Sequence, residues 1–191
     1  MGRGRMSART LLKSLLVYQA WANDELLEKL AGLDPHDNEM KRLAALRLMN
    51  PIHVVSRIFA ARVTGADHGY ASDNTEETLE PAELRAAMAE SDRWYLDYIE
   101  TVSKQRLAQP VAFTFTDGDK GCMTRQEMLT HVVLHGGYHR GEIGRMLGAD
   151  RGLAALGYLC RPSAPGRAVA SPARQARAAR RMIRQLLECE Q

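Results

Sequence analysis

The chain has 191 residues, of which 45% are hydrophobic and 26% are charged. This is the composition of an ordinary globular domain, and it excludes collagen-like and wholly disordered chains. The net charge of +3 hides two basic ends. Seven arginines against two glutamates give residues 161–191 a charge of +5, and residues 1–13 carry +4, which leaves −6 for residues 14–160. The sequence therefore predicts an acidic body with basic termini.

The cysteines and the apolar segments indicate where such a chain would function. Cys122, Cys160 and Cys189 are far apart and form no CxxC pair, which argues against a disulfide framework and favours a reducing compartment. No apolar run reaches the roughly 18 residues that cross a bilayer. We therefore expect a cytoplasmic protein without a membrane partner.

Four segments have the apolar periodicity of a helix. The first spans about residues 7–30. The second includes residues 54–63 and ends at Gly65, and the third opens at Pro81, a residue favoured in the first helical turn. The fourth runs from Thr124, whose spacing to Glu127 predicts a capping box, to Gly148. Polar connections at 34–39, 66–77 and 105–123 separate them. The pattern predicts an all-α protein, a four-helix bundle.

Two further segments interrupt this helical pattern. Residues 111–116 alternate like a strand and precede Asp117-Gly118, a turn signal, so a short hairpin is expected before the fourth helix. Residues 161–181 are rich in Ala, Arg, Pro and Ser, and such a segment buries too little apolar area to order itself. We expect a bundle domain over residues 1–160 and a mobile basic tail over 161–191, with a short terminal helix near residues 182–187.

Three histidines recur every four residues in the fourth helix, at His131, His135 and His139. Spacing of four places two imidazoles on one face, where they can share a metal ion. The outer two lie about 12 Å apart along the axis, too far for one ion. At 100° per residue His135 and His139 fall on the line of the apolar residues and His131 about 60° off it. The pattern favours His135 and His139 as the ligand pair.

A protein metal site needs a further ligand from another element. His53 is the histidine in another predicted helix, so the pattern suggests it as the third ligand. Glu142, three residues after His139, could orient that histidine or act as a base, or it could pair with an arginine in solvent. Arg140 could hold a substrate carboxylate, although such an arginine is more often structural.

Four segments of the chain resemble the DinB family of bacterial metal-binding bundles. TRQEMLTHVVLHGGYHRGEI at 124–143 resembles its fourth-helix signature, and LVYQAWAN at 16–23 its first helix. MNPIHVVSRIFAARVTG at 49–65 is similar to the second helix and DRWY at 92–95 to the third. The resemblance covers roughly residues 10–148, and HxxxHRG is its most specific part.

This resemblance implies a bundle of DinB type, often a homodimer, that holds a divalent ion such as zinc or nickel, with iron as another candidate. Three histidines bind the ion in the family, and two of them correspond to His135 and His139. Related branches are thiol-dependent S-transferases and a maleylpyruvate isomerase that use low-molecular-weight thiols such as mycothiol or bacillithiol. The resemblance thus implies a small-molecule substrate.

The chain departs from the family pattern in the second helix and after the fourth. The family's second-helix histidine corresponds to Pro51, and His53 lies about 200° further around an ideal helix. We expect Pro51 to begin this helix with Asn50 as its cap, which would re-aim the residues that follow. After Gly148 the family's ordered C-terminal segment has no counterpart in the sequence.

Three functions are compatible with these patterns. The first is a metal-dependent enzyme of the thiol S-transferase or hydrolase type. The second is a degenerate bundle without catalysis, whose metal site is weakened because Pro51 replaces a ligand. In the third, the arginines of 161–191 bind nucleic acid or an acidic partner, although no aromatic residues lie between those arginines to stack on bases. We favour the first.

Overall fold

The computed structural model describes residues 7–147. The predicted tail, its terminal helix, the domain boundary at residue 160 and the helix end at Gly148 all lie outside the described residues. Within them, five helices and one two-stranded sheet follow in the order α1, α2, α3, α4, β1, β2, α5. The protein is therefore predominantly helical, as the sequence predicts.

The first helix, α1, spans Ala8–Ala31 and matches its predicted limits closely. The Ser7 hydroxyl caps it by accepting a hydrogen bond from the Thr10 amide at 3.1 Å. The second helix, α2, spans Pro35–Thr64 and is much longer than predicted. Asp34 caps its N-terminus and Pro35 takes the first position, so most of the predicted connection at 34–39 is helical.

Pro51 lies inside α2 and does not begin it, so the prediction of a helix start there with Asn50 as cap is wrong. A proline in mid-helix removes one backbone hydrogen bond and crowds the carbonyl four residues earlier. Here Ala45, Leu46 and Met49 are buried on the N-terminal side and Ile52 on the C-terminal side. Burial of apolar residues on both sides of Pro51 favours one continuous helix despite that cost.

The second half of the chain begins with α3 at Pro81–Thr101, followed by the short helix α4 at Lys104–Ala108. Strands β1, Pro110–Thr114, and β2, Lys120–Thr124, pair antiparallel. The last helix, α5, spans Arg125–Met146 and opens with the predicted capping box between Thr124 and Glu127. The predicted hairpin is confirmed, whereas α4 was not predicted from the sequence.

The four long helices pack in a closed order, in which α1 contacts α3 and α5, and α2 contacts the same two helices. Their buried side chains form two apolar clusters. One lies around Phe59, Tyr95 and Met128, and the other around Leu26, Met49 and Ile143. No helix within residues 7–147 combines the length and the apolar character needed to span a membrane.

The hairpin is fixed against α2 by a cationic side chain. Arg62 lies over the rings of Phe59 and Phe113, with its guanidinium carbon 4.4 Å from the Phe113 centroid, and donates a hydrogen bond to the Thr114 carbonyl at 2.7 Å. In β2 a Cβ on Gly121 would stand 2.7 Å from the Phe113 ring, so only glycine fits there. Strand β2 ends at Thr124, the residue that caps α5.

Candidate metal centre

The three histidines of α5 form a half-buried row along one edge of the helix. The fully buried line of α5 runs beside this row through Val132, Gly136, Arg140 and Ile143. The prediction that His135 and His139 lie on the core-facing line is therefore wrong. The face that packs against the other helices contains Gly136 and Arg140, and the imidazoles lie at its edge.

The row lies beside α2 and begins at an aromatic contact. The ring of His131 lies 4.8 Å from that of Phe59, and the ring of His135 stacks on His131 at 5.9 Å. Arg62, next to Phe59 in this cluster, acts on His131 and adds to burial in lowering its pKa. His131 is thus occupied by aromatic packing, which leaves His135 and His139 as a separate pair.

The two imidazoles of that pair converge on one point. Nε2 of His135 and Nε2 of His139 are 3.2 Å apart. Two zinc–nitrogen bonds of about 2.0–2.1 Å at a tetrahedral angle would place two nitrogens about 3.3 Å apart. The spacing of the two nitrogens therefore fits a shared ion.

Both rings are held in the neutral form that a metal requires. Burial is the main cause, and with the neighbouring imidazoles it lowers the pKa of His135 to about 4. Burial also lowers the pKa of His139, while the carboxylates of Glu142 and Asp73 oppose the change. At neutral pH each ring is therefore neutral, with one of its two nitrogens able to bind a metal, and the carboxylates nearby are negative.

Glu142 lies behind the pair. Its Oε2 is 3.5 Å from Nδ1 of His139, although the two atoms lack hydrogen-bond geometry and this buried Nδ1 has no hydrogen-bond partner. Tyr138 donates a hydrogen bond to the other carboxylate oxygen at 3.1 Å. A ligating histidine usually donates its second N–H to a carboxylate. Glu142 is placed to accept that bond once His139 carries its proton on Nδ1.

The structure does not bring His53 to this pair. Burial lowers the pKa of His53, and the charged side chains that act on it are Arg57 and Glu90, the latter on α3. Its Nδ1 is buried without a hydrogen-bond partner. Within residues 7–147 no three His, Cys, Asp or Glu side chains stand close enough together to hold one ion. As a third ligand, His53 stays a prediction from the sequence.

Arg140 enters the core between α1 and α3 and is 3% exposed. Its Nη1 donates to Asn23 Oδ1 at 2.7 Å, and Asn23 Nδ2 donates to the Asp92 carboxylate at 3.0 Å. Gln19 is also buried beside them, and Nε and Nη2 of Arg140 have no hydrogen-bond partner. Arg140 therefore belongs to a structural network that spans α1, α3 and α5.

Gly136 makes this arrangement possible. A Cβ at that position would stand 2.8 Å from Nη1 of Arg140 and 3.2 Å from the Gln19 amide oxygen. A side chain there would displace the guanidinium from its site. The apolar periodicity did not predict this network. Two signals for it are in the sequence, since Gln19 interrupts the apolar face of α1 and Asp92 falls on that of α3.

The architecture and the row together define a predominantly helical protein with a histidine pair at i, i+4 on its last described helix. The model of the DinB family matches residues 6–149, about three quarters of the chain, so this protein belongs to the DinB family. Comparison with curated proteins and with solved structures gives no match.

Proposed function

We propose that this protein is a divalent-metal-binding four-helix bundle of DinB type and a metal-dependent enzyme of the thiol S-transferase or hydrolase kind. His135 and His139 hold the ion, zinc or nickel in preference to iron. The 3.2 Å separation of their Nε2 atoms carries the proposal. It is supported by the neutral state of both rings and by membership of the family.

A bound divalent ion supplies the chemistry, because it lowers the pKa of a coordinated water or thiol and so provides a nucleophile at neutral pH. The residues around it position the ligands. Glu142, whose Oε2 is 3.5 Å from Nδ1 of His139, would accept a hydrogen bond from that nitrogen and so keep Nε2 free, while Tyr138 donates a hydrogen bond to the same carboxylate. At one end of the row the ring of His131 packs on that of Phe59.

The substrate we propose is a small molecule together with a low-molecular-weight thiol, and the family supports this part. Because the row lies at the rim, a small molecule can reach it. Family membership also supports the proposal of a homodimer, which size-exclusion chromatography with light scattering would test. The widely spaced cysteines support a reducing compartment, the cytoplasm.

Metal content tests the central proposal. The protein is stripped with a chelator, supplied with zinc, nickel or iron(II) at micromolar concentration, desalted and analysed by plasma mass spectrometry. We expect about one ion per chain, and little after His135→Ala. His36→Ala, a change at an exposed histidine at the start of α2, is the matched control and should retain the ion.

The alternative is the degenerate bundle, which the buried position of Pro51 in α2 favours. If no metal binds at micromolar supply, the degenerate bundle is established and the proposal of a metal-dependent enzyme is overturned. The proposal that the tail binds nucleic acid or an acidic partner stays a prediction about residues 161–191.

A further inference from the structure

A cavity of about 390 Å³ lies between α2, α3 and the start of the connection that joins them, residues 65–80. Cavities that bind small molecules commonly enclose about 300–1,000 Å³. The residues that α2 contributes to its wall are Arg57, Ala60, Ala61 and Thr64. At 100° per residue their mean direction lies about 150° around α2 from Phe59, which packs on His131 of the histidine row. This α2–α3 cavity and the histidine row therefore lie on different faces of α2.

The loop side of the α2–α3 cavity is a turn with a defined backbone. Gly65 ends α2 in the left-handed conformation, with φ at 83°, and its amide donates to the Ala61 carbonyl at 2.8 Å. Nδ1 of His68 accepts a hydrogen bond from the Tyr70 amide at 3.1 Å, and the rings of these two residues stack at 6.3 Å. Because the chain makes these contacts by itself, the wall is already formed before a ligand binds, which lowers the entropic cost of binding.

Aromatic rings line the cavity on the α3 side as well as on the loop side. Trp94 is the aromatic residue that α3 contributes, and its indole stacks on the Tyr98 ring at 5.2 Å. Both Trp94 and Tyr70 pack against the apolar core, which fixes their positions. The side chains of α2 at Ala60 and Ala61 are small and leave space beside these rings. Aromatic walls next to an alanine surface favour a planar aromatic ligand.

Arg57 supplies a positive charge to the same cavity. Its side chain is 47% exposed, and its ion pair with Glu90 of α3 is long, at 3.9 Å. An exposed pair of this length holds a guanidinium only weakly. The carboxylate of Asp67, also in the wall, accepts a hydrogen bond from the Gly69 amide at 3.2 Å. Arg57 is therefore available to an anionic group of a ligand, and a guanidinium binds a carboxylate through two parallel hydrogen bonds.

We propose that the α2–α3 cavity binds a small aromatic carboxylate, with its ring against Trp94 and Tyr70 and its carboxylate on Arg57. A phosphate would bring about two negative charges close to Glu90 and Asp67, so a single guanidinium favours the singly charged carboxylate. The wall of α2 from residue 57 to residue 64 is about 10 Å long, enough for one ring and a carboxylate. This site goes beyond the proposed function, because it uses none of the residues of the metal centre.

The probe is phenylacetate, and binding is measured by the fluorescence of Trp94. The full chain carries Trp21→Phe, which leaves Trp94 as the remaining tryptophan. The protein is metal-free, because a carboxylate can also coordinate a bound ion. Phenylacetamide keeps the shape without the charge, and cyclohexylacetate keeps the charge without the aromatic ring.

We expect a dissociation constant of about 1 mM or tighter for phenylacetate. Phenylacetamide should bind about 10-fold more weakly, because it lacks the charge-assisted hydrogen bonds to Arg57. Cyclohexylacetate should bind about threefold more weakly or worse, because it loses the ring contacts with Trp94 and Tyr70.

Two variants with matched controls locate the ligand. Arg57→Gln should weaken phenylacetate binding about 10-fold and leave phenylacetamide binding unchanged, whereas Arg106→Gln, at an exposed arginine of α4, should change neither. Ala61→Leu should fill the cavity and abolish binding of both compounds. Ala86→Leu, at an exposed alanine of α3, is its control and should bind as the parent protein does. Thermal melts check that each variant folds.

The outcomes separate this inference from the proposed function. No binding of phenylacetate at about 10 mM would overturn the inference. Equal binding of phenylacetate and phenylacetamide, or unchanged binding in Arg57→Gln, would overturn it too, because the carboxylate would then not lie on Arg57. Loss of binding in metal-free His135→Ala would place the ligand at the histidine pair and also overturn it. The metal content of the protein tests the proposed function independently, so either proposal can fail while the other stands.

Discussion

His139 and Arg140 are neighbours on α5, yet their side chains enter different surroundings. Arg140 is 3% exposed and donates a hydrogen bond to Asn23, which donates in turn to Asp92, so hydrogen bonds connect three helices. His139 lies at the rim, its Nδ1 without a hydrogen-bond partner and its Nε2 facing another histidine. The polar atoms of the Arg140 network join helices, whereas those of the histidine pair remain available to a ligand.

The difference shows that polar side chains at two adjacent positions can have different roles, one in stability and the other in binding. In the Arg140 network, loss of one partner leaves a charge buried without compensation, which lowers the free energy of unfolding. In the histidine pair both rings are neutral and partly exposed, so removing one costs little stability but removes a binding atom. Changes in the network should therefore alter folding, and changes in the pair should alter binding.

The largest effect is expected for Arg140→Leu. This change leaves Asp92 buried without the cation that compensates it, and we expect the free energy of unfolding to fall by about 3–5 kcal/mol. Urea unfolding monitored by circular dichroism measures it. Arg93→Leu, at an exposed arginine of α3, is the control and should change stability by about 0.5 kcal/mol or less.

A double variant identifies the charge as the cause. If Asp92→Leu together with Arg140→Leu costs no less than Arg140→Leu alone, the loss comes from packing, and the network is not the charged connector described here. Recovery of about 1 kcal/mol or more in the double variant would support the network.

An intermediate effect is expected for Glu142→Gln. Loss of the charged acceptor behind His139 should weaken zinc binding about 10- to 100-fold, with the unfolding free energy of the metal-free protein changed little. Calorimetric titration measures the affinity. Tyr138→Phe, which removes a hydrogen bond to Glu142 but keeps the carboxylate, should stay within about threefold, and unchanged binding in Glu142→Gln would place this residue outside the centre.

The smallest effect concerns pH. The pKa of His135 falls from an ordinary 6.5 to about 4 on folding, so between these values the unfolded chain binds more protons and stability decreases as the pH falls. The full shift corresponds to about 3 kcal/mol, and because the ring is partly exposed we expect about 1 kcal/mol.

Urea unfolding of the metal-free protein between pH 7 and pH 4.5 measures this dependence. His135→Gln should flatten the stability profile in that window, while His36→Gln should leave it unchanged. A profile that stays as steep in His135→Gln as in the parent would assign the acid sensitivity to other groups.

Much of the architecture could be predicted because it depends on local chemistry. The limits of α1, the capping box at Thr124 and the Asp117-Gly118 hairpin are confirmed, since caps and tight turns are determined by a few neighbouring residues. The start of α2 was mispredicted because Pro51 is a strong local signal that burial on both sides overrides. Family membership is also confirmed, and it depends on the spacing of whole motifs.

The sequence by itself determined that this is a helical DinB-family protein with histidines four residues apart on one helix, because periodicity and spacing are properties of the chain. Only the tertiary structure decided that the ring of His131 packs on that of Phe59 and that Arg140 is buried and bonded to Asn23. These depend on the rotation of α5 and on its register against α2, which side chains far apart in sequence determine together.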